Sequence, residues 1–181
     1  YLSLYKMNAK QLAKTIIDEI YNVTGITATV GIGTNLFLAK VALDITAKHA
    51  KDFMGYLDED LFKQLIWHHT PITDVWMIGP GTANRLAALG IKDLYGVAHY
   101  DEKILYKIFG VNAEYLIDHA WGKEQTEISD IKAYRPSSNS ISNSQILFED
   151  YNYKDAYLIM KEMVETNVLQ LTEKHLVSNH I

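Results

Sequence analysis

The segment Asp74-Val75-Trp76-Met77-Ile78-Gly79-Pro80-Gly81-Thr82-Ala83 sets two glycines around a proline, directly ahead of an apolar-periodic helix through Leu86 and Leu89. Glycine turns tightly and lets another chain come close, Pro80 has no N–H, and the first amides of a helix have no intrahelical acceptor. Gly79, Gly81, Thr82 and Ala83 can therefore turn main-chain donors toward an anion at the positive end of the helix dipole. Amide contacts of this kind to a sugar-phosphate backbone are indifferent to base sequence. The pattern reads as a helix-hairpin-helix for nucleic acid. An αα-hairpin with a glycine turn and no ligand fits the same residues.

The other residues with chemical potential read less sharply. Gly31-Ile32-Gly33-Thr34-Asn35 lies between a strand and a helix, where phosphate loops are often built, but Leu36 stands where a dinucleotide fingerprint has its third glycine, and no Gly-Lys-Ser or Gly-Lys-Thr follows. These glycines are expected to serve a tight turn and close packing. Lys40 and Lys48 are eight positions apart on one expected helix and so near one face, with Lys48 in the last turn, where the dipole favours a cation. His68-His69 point in two directions on a helix and make a poor chelate. Asp58-Glu59-Asp60 reads as a solvated helix cap, and nothing in the sequence is arranged to hold two magnesium ions.

The elements that must position these groups follow from periodicity. A helix is expected from Asn8, as N-cap, through Ile20 to Thr24-Gly25; a buried strand from Ile26 to Ile32; a helix from Asn35 to Lys48; and another from Asp58 to Trp67. From Pro71 to Gly122 short helices end at glycines: Thr82 to Leu89 before Gly90, Asp101 to Phe109 before Gly110, Asn112 to Trp121 before Gly122. Lys123 to Pro136 reads as a connector. The polar run Ser137 to Ser144 reads either as the start of an exposed strand toward Ile146 and Phe148 or as a flexible linker, and a long helix covers about Lys154 to Glu173. Leu176 to Ile181 reads as a strand just beginning. With the alternating opening Tyr1-Leu2-Ser3-Leu4-Tyr5, that ending suggests an excised piece.

Composition sets the outer bounds. The 181 residues, 48% apolar and 22% charged, suit one ordinary domain or two small ones. The absence of cysteine excludes disulfides and thiolate metal sites and favours a cytoplasmic location, and no run has the length of a membrane span. The net charge of −5 argues against a strongly basic DNA-binding face. Between Pro71 and Gly122 four basic residues (Arg85, Lys92, Lys103, Lys107) face six acidic ones, so DNA held by this segment is held weakly and through amides.

Three separated segments, in order, resemble a Y-family, or translesion, DNA polymerase of the bacterial UmuC and ImpB/MucB/SamB type. Thr29 to Lys48 (TVGIGTNLFLAKVALDITAK) is similar to the palm strand, turn and helix. Pro71 to Ala83, followed by Leu89-Gly90-Ile91, is similar to the thumb hairpin. Asp118-His119-Ala120-Trp121-Gly122 and the later Ser140-Ile141-Ser142 resemble the thumb exit and the first strand of the little finger. The fold implied is an α+β multidomain fragment. It comprises a helix-strand-helix palm remainder (1–59), a helical thumb with a helix-hairpin-helix (60–124), a linker (125–136) and an incomplete α/β little finger (137–181).

The resemblance further implies DNA-directed DNA synthesis opposite damaged bases in DNA repair, with two magnesium ions assisting in-line attack on the incoming triphosphate. The acidic metal ligands of the family precede the matched segments, so no catalytic or metal-binding residue is expected in this chain, which would be inactive alone. Lys48 matches the lysine that reaches the deoxynucleoside triphosphate. Gly79, Gly81, Thr82 and Ala83 match the hairpin amides on the DNA backbone, and Ser140 and Ser142 match DNA-binding positions of the little finger. Primer-template DNA, the nucleotide and a sliding clamp are the implied partners. Met77 replaces the first glycine of the hairpin motif, His49 a common proline, and Asn139 a common basic residue. The alternative is a non-catalytic helix-hairpin-helix module that binds DNA or another protein in repair.

Overall fold

The computed structural model describes residues 2–136 and 139–179, and the chain divides between Lys132 and Ala133 into two compact units. Ser137 and Ser138, at the head of the expected exposed strand, and Tyr1, His180 and Ile181, in the terminal segments, lie outside the described residues.

The first unit opens with a single turn, α1 (Leu2–Tyr5), and the amphipathic α2 (Ala9–Thr24). Asn8 caps α2 by accepting from the Gln11 amide while the Gln11 side chain accepts from the Asn8 amide, a reciprocal pair that fixes the start. Strand β1 (Val30–Gly33) pairs in parallel with β2 (Met54–Leu57), in the register Val30↔Met54 to Gly33↔Leu57. The sequence patterning put a strand at Ile26 to Ile32 and none at Met54; the shorter β1 and the four-residue β2 exist because each satisfies the backbone of the other.

The crossover between them is helical but not one regular helix. It runs as α3 (Leu36–Val41), a π turn (Ala42–Thr46) and a 3-10 turn (Ala47–His49). The Ala47 amide reaches back to the Ala42 carbonyl, which also accepts from the Thr46 hydroxyl at 2.8 Å. Gly55 of β2 makes room for this widened turn: a Cβ there would overlap Thr46 Oγ1 and the Ala42 carbonyl. A Cβ on Gly31 or Gly33 would likewise overlap the backbone of Ala39, so these glycines serve close helix-sheet packing, as the sequence suggested.

Beyond β2 come α4 (Glu59–Leu65), a 3-10 turn (Ile72–Asp74), α5 (Pro80–Ala88), α6 (Leu94–Ala98), α7 (Glu102–Phe109), α8 (Asn112–Ala120) and α9 (Ile128–Ala133). Where the sequence suggested the first helix of a hairpin, before Gly79, there is only the three-residue turn at Ile72. The short α6 and α9 were not anticipated, α9 replacing part of the expected connector. One buried cluster links α3, β2, α4 and the helices through α8, with Phe37, Phe62, Leu86, Leu94 and Leu105 fully enclosed. Polar ties reinforce it: Asn35 Nδ2 donates to the Gly122 carbonyl at 2.9 Å and Trp67 Nε1 to the Ala120 carbonyl at 2.8 Å.

The second unit contains α10 (Tyr153–Glu173), capped by Asn152, which accepts from the Lys154 and Asp155 amides. Residues 139–150 form no strand among the described residues, contrary to the reading of Ser140-Ile141-Ser142 as strand, because they have no ladder partner. Leu176 to Asn179 are not strand either. None of the described helices is long and apolar enough to cross a membrane.

Candidate nucleic-acid interface

Helix α5 begins two residues earlier than the expected Thr82, with Pro80 in the first helical position and Gly79 as N-cap. The Ala83 amide donates to the Gly79 carbonyl at 3.0 Å, so it belongs to the helix and is not available to a ligand, unlike the sequence expectation for this residue. Gly79, Gly81 and Thr82 keep amides without an acceptor among the described residues, and Gly79 has no side-chain cap to substitute for one. A Cβ on Gly79 or Gly81 would meet nothing within 4 Å, and neither has a positive φ. Unlike Gly31 and Gly33, these glycines are not required by the packing of the protein itself. Met77, in contrast, is held at φ 71°, a left-handed conformation suited to glycine, and it is 59% exposed.

Lys40 and Lys48 have different environments. Lys40 pairs with Asp44 at 3.0 Å within the crossover helix. Lys48, one residue before the end of the 3-10 turn, is exposed and has no ion pair among the described residues. The π turn between them breaks the common helical face expected from their eight-residue spacing. Ser140 and Ser142 are exposed in the second unit. His68 and His69 turn to separate carboxylates, Asp93 and Asp74, each at 2.8 Å, and Asp58 caps α4 by accepting from the Leu61 amide. Among the described residues no three acidic, imidazole or thiol groups come together to hold a metal ion.

A cleft that the motif reading missed lies beside the amino end of α5. Its walls include Trp76, Met77, Thr82 and Arg85 on one side and Tyr115 and His119 on the other, around a cavity of about 230 Å³. The available signal was the spacing of Asn112, Tyr115, Leu116 and His119, which puts all four on one face of α8. His119 is buried, stacked flat on Phe37 at 4.0 Å, and hydrogen-bonded through Nε2 to Glu124 at 3.1 Å. Burial works against the Glu124 carboxylate, but hydrogen bonds from Thr126 and then His119 outweigh it and hold the pKa below the ordinary value.

The comparisons with known proteins agree with the resemblance to a Y-family polymerase. Residues 2–44 match the impB/mucB/samB family model. The DNA repair protein homolog YobH of Bacillus subtilis (strain 168) is 31% identical over 144 residues, 80% of this chain and 65% of YobH. The DNA polymerase IV of Shewanella frigidimarina (strain NCIMB 400) is 33% identical over 123 residues, 67% of this chain and 33% of that enzyme. Among solved structures, a ternary complex of Dbh aligns with a TM-score of 0.57 at 27% identity over 70% of this chain and 38% of Dbh.

These likenesses support a fragment of a Y-family DNA polymerase.

DinB from Sulfolobus solfataricus gives a TM-score of 0.54 at 29% identity, over 65% of this chain and 34% of DinB. The chain spans 65% of YobH and 36% of the Bacillus subtilis UvrX protein, under two thirds of either. The mixed helical and small-sheet architecture of this chain matches part of the solved Y-family polymerases.

Proposed function

We propose that the chain is part of a DNA-directed DNA polymerase for translesion synthesis in DNA repair, in which residues 60–124 serve as thumb and hold the sugar-phosphate backbone of primer-template DNA through the free amides of Gly79, Gly81 and Thr82. The observation that carries this reading is the pairing of three unoccupied donors with two glycines whose missing Cβ atoms leave open space. An approaching phosphate needs that space, and the fold does not. Residues 1–59 correspond to a palm remainder and 137–181 to part of a little finger, with 125–136 between them and Ser140 and Ser142 as further backbone contacts. Ala83 supports the site by starting the helical hydrogen-bond ladder.

Lys48 is assigned to the incoming triphosphate, supported by its exposure and its lack of an internal carboxylate partner. Such an enzyme uses magnesium ions, and the 181-residue chain is proposed to be inactive by itself. A cytoplasmic location and a sliding-clamp partner belong to the same proposal. In the intact enzyme, Lys48→Ala should raise the apparent KM for nucleotide while leaving primer-template affinity unchanged; a change confined to DNA affinity would refute the assignment. The net charge of −5 favours, as a second reading, a non-catalytic interaction module. A flat titration against duplex and primer-template DNA at low salt would select it.

A further inference from the structure

We infer that the cleft beside α5 receives one unstacked nucleobase of the strand whose phosphate lies at the Gly79, Gly81 and Thr82 amides. The inference rests on the DNA-backbone reading of that helix end and adds a base site to it.

Three observations lead to this occupant. First, the cleft and the amide site share Thr82, whose free amide faces the mouth of α5 and whose residue also forms part of the cleft wall. A nucleotide with its phosphate at the amides therefore has its base within reach of the cleft. Second, the cavity of about 230 Å³ lies below the ~300–1,000 Å³ of sites that enclose a drug-sized ligand, and its walls carry the rings of Trp76, Tyr115 and His119, which suit one flat ring system. Trp76 is 43% exposed, so its indole is not consumed by the core. Third, the charge is complementary. In a chain of net charge −5, no carboxylate lines this cleft, while Arg85 does, with its guanidinium stacked over Phe109 at 4.6 Å and bonded to the Ile108 carbonyl. A planar cation fixed in this way favours an aromatic ligand attached to a phosphate over a neutral apolar one. Such a base must be unpaired, because a base stacked and paired within a duplex cannot insert between the cleft walls.

The test uses the full chain and two fluorescent DNA probes, a blunt duplex and the same duplex with a short unpaired overhang, titrated by anisotropy. The wild-type chain should prefer the overhang probe. Trp76→Ala, which removes a wall, and Asn112→Trp, which fills the cleft from an exposed position, should each weaken overhang binding about tenfold and leave blunt-duplex binding unchanged. Gly81→Val should weaken both probes alike. With 5-iododeoxyuridine in the overhang, photocrosslinks should map to Trp76 or Tyr115. If Gly81→Val weakens both probes but the cleft variants leave the overhang preference intact, the base site is overturned and the backbone reading stands. If Gly81→Val leaves both unchanged, or the chain binds neither probe, the backbone reading falls and takes the base site with it. Displacement of no DNA by a peptide that itself fills the cleft, one bearing tyrosine between glutamates, would also overturn the base site by making it a protein contact.

Discussion

Gly81→Ala should make the protein slightly more stable and a worse DNA binder. Within α5 the glycine costs backbone entropy that alanine does not, about 0.5–1 kcal/mol in a helix interior, with the lower figure apt for the second helical position. No steric penalty offsets this, because the added Cβ meets nothing within 4 Å. A gain of about 0.5 kcal/mol corresponds to a rise of roughly 1–2 °C in Tm for a chain of this size. At the interface the same methyl group occupies the space through which a phosphate reaches the Gly81 amide. A hydrogen bond to a charged group is worth about 1.5–3 kcal/mol, so its loss should raise Kd by roughly tenfold to a hundredfold. The slope of log K against log salt should not change, since no cation has been removed. Calorimetry and anisotropy titration at several salt concentrations read both effects on one preparation. A loss of stability would show that the fold itself needs this glycine. Unchanged affinity in the more stable variant would refute the close approach of the DNA backbone.

Three further outcomes follow from the geometry. Met77→Gly should stabilise the chain by about 0.5 kcal/mol, because relief of roughly 1–2 kcal/mol of left-handed strain at φ 71° exceeds the entropy cost of a glycine; a raised denaturant midpoint at constant m-value checks it. Gly33→Ala should cost about 3 kcal/mol or more, since its Cβ would overlap the Ala39 backbone, and a melting temperature near wild type would contradict the packing role assigned to it. Glu124 has a folded pKa below its ordinary 4.5, so its contribution is present above that value and is lost as pH falls through the folded pKa. Glu124→Gln should therefore lower stability by about 1–3 kcal/mol at neutral pH and flatten the acid limb of the stability curve, measured by urea unfolding across pH.

The sequence was informative where structure is local. Helices α2, α7, α8 and α10 lie within a residue or two of their periodic patterns, and the terminating glycines at 25, 110 and 122 all have positive φ. It was uninformative where a partner decides. Met54–Leu57 is a strand only because β1 lies alongside it, and Ser140–Ser142 lacks a neighbouring strand and forms no regular element. The π turn at Ala42–Thr46 depends on the missing Cβ of Gly55, nine residues beyond its end, which no helical-period analysis detects. The cleft was hidden for the same reason. Its two walls lie on segments about 35 residues apart, and only the buried core beneath α5 and α8 brings them together.

The glycines show what spacing alone leaves open. Gly31-Ile32-Gly33 and Gly79-Pro80-Gly81 have the same pattern, a glycine pair ahead of a helix, which by itself fits either a phosphate loop or close packing. They differ in what lies in front of the absent side chain. For Gly31 and Gly33 it is the backbone of α3, so the close approach is already made by the protein. For Gly79 and Gly81 it is solvent, and beside it the amides of Gly79, Gly81 and Thr82 lack acceptors. A helical glycine that costs stability without relieving any internal clash is best explained by an external group that approaches as closely as Ala39 approaches Gly33. Donors without acceptors favour a negatively charged group, and on the proposed DNA-backbone reading their position on the main chain makes the contact independent of base sequence. A polymerase that must advance along any template needs a contact with that property.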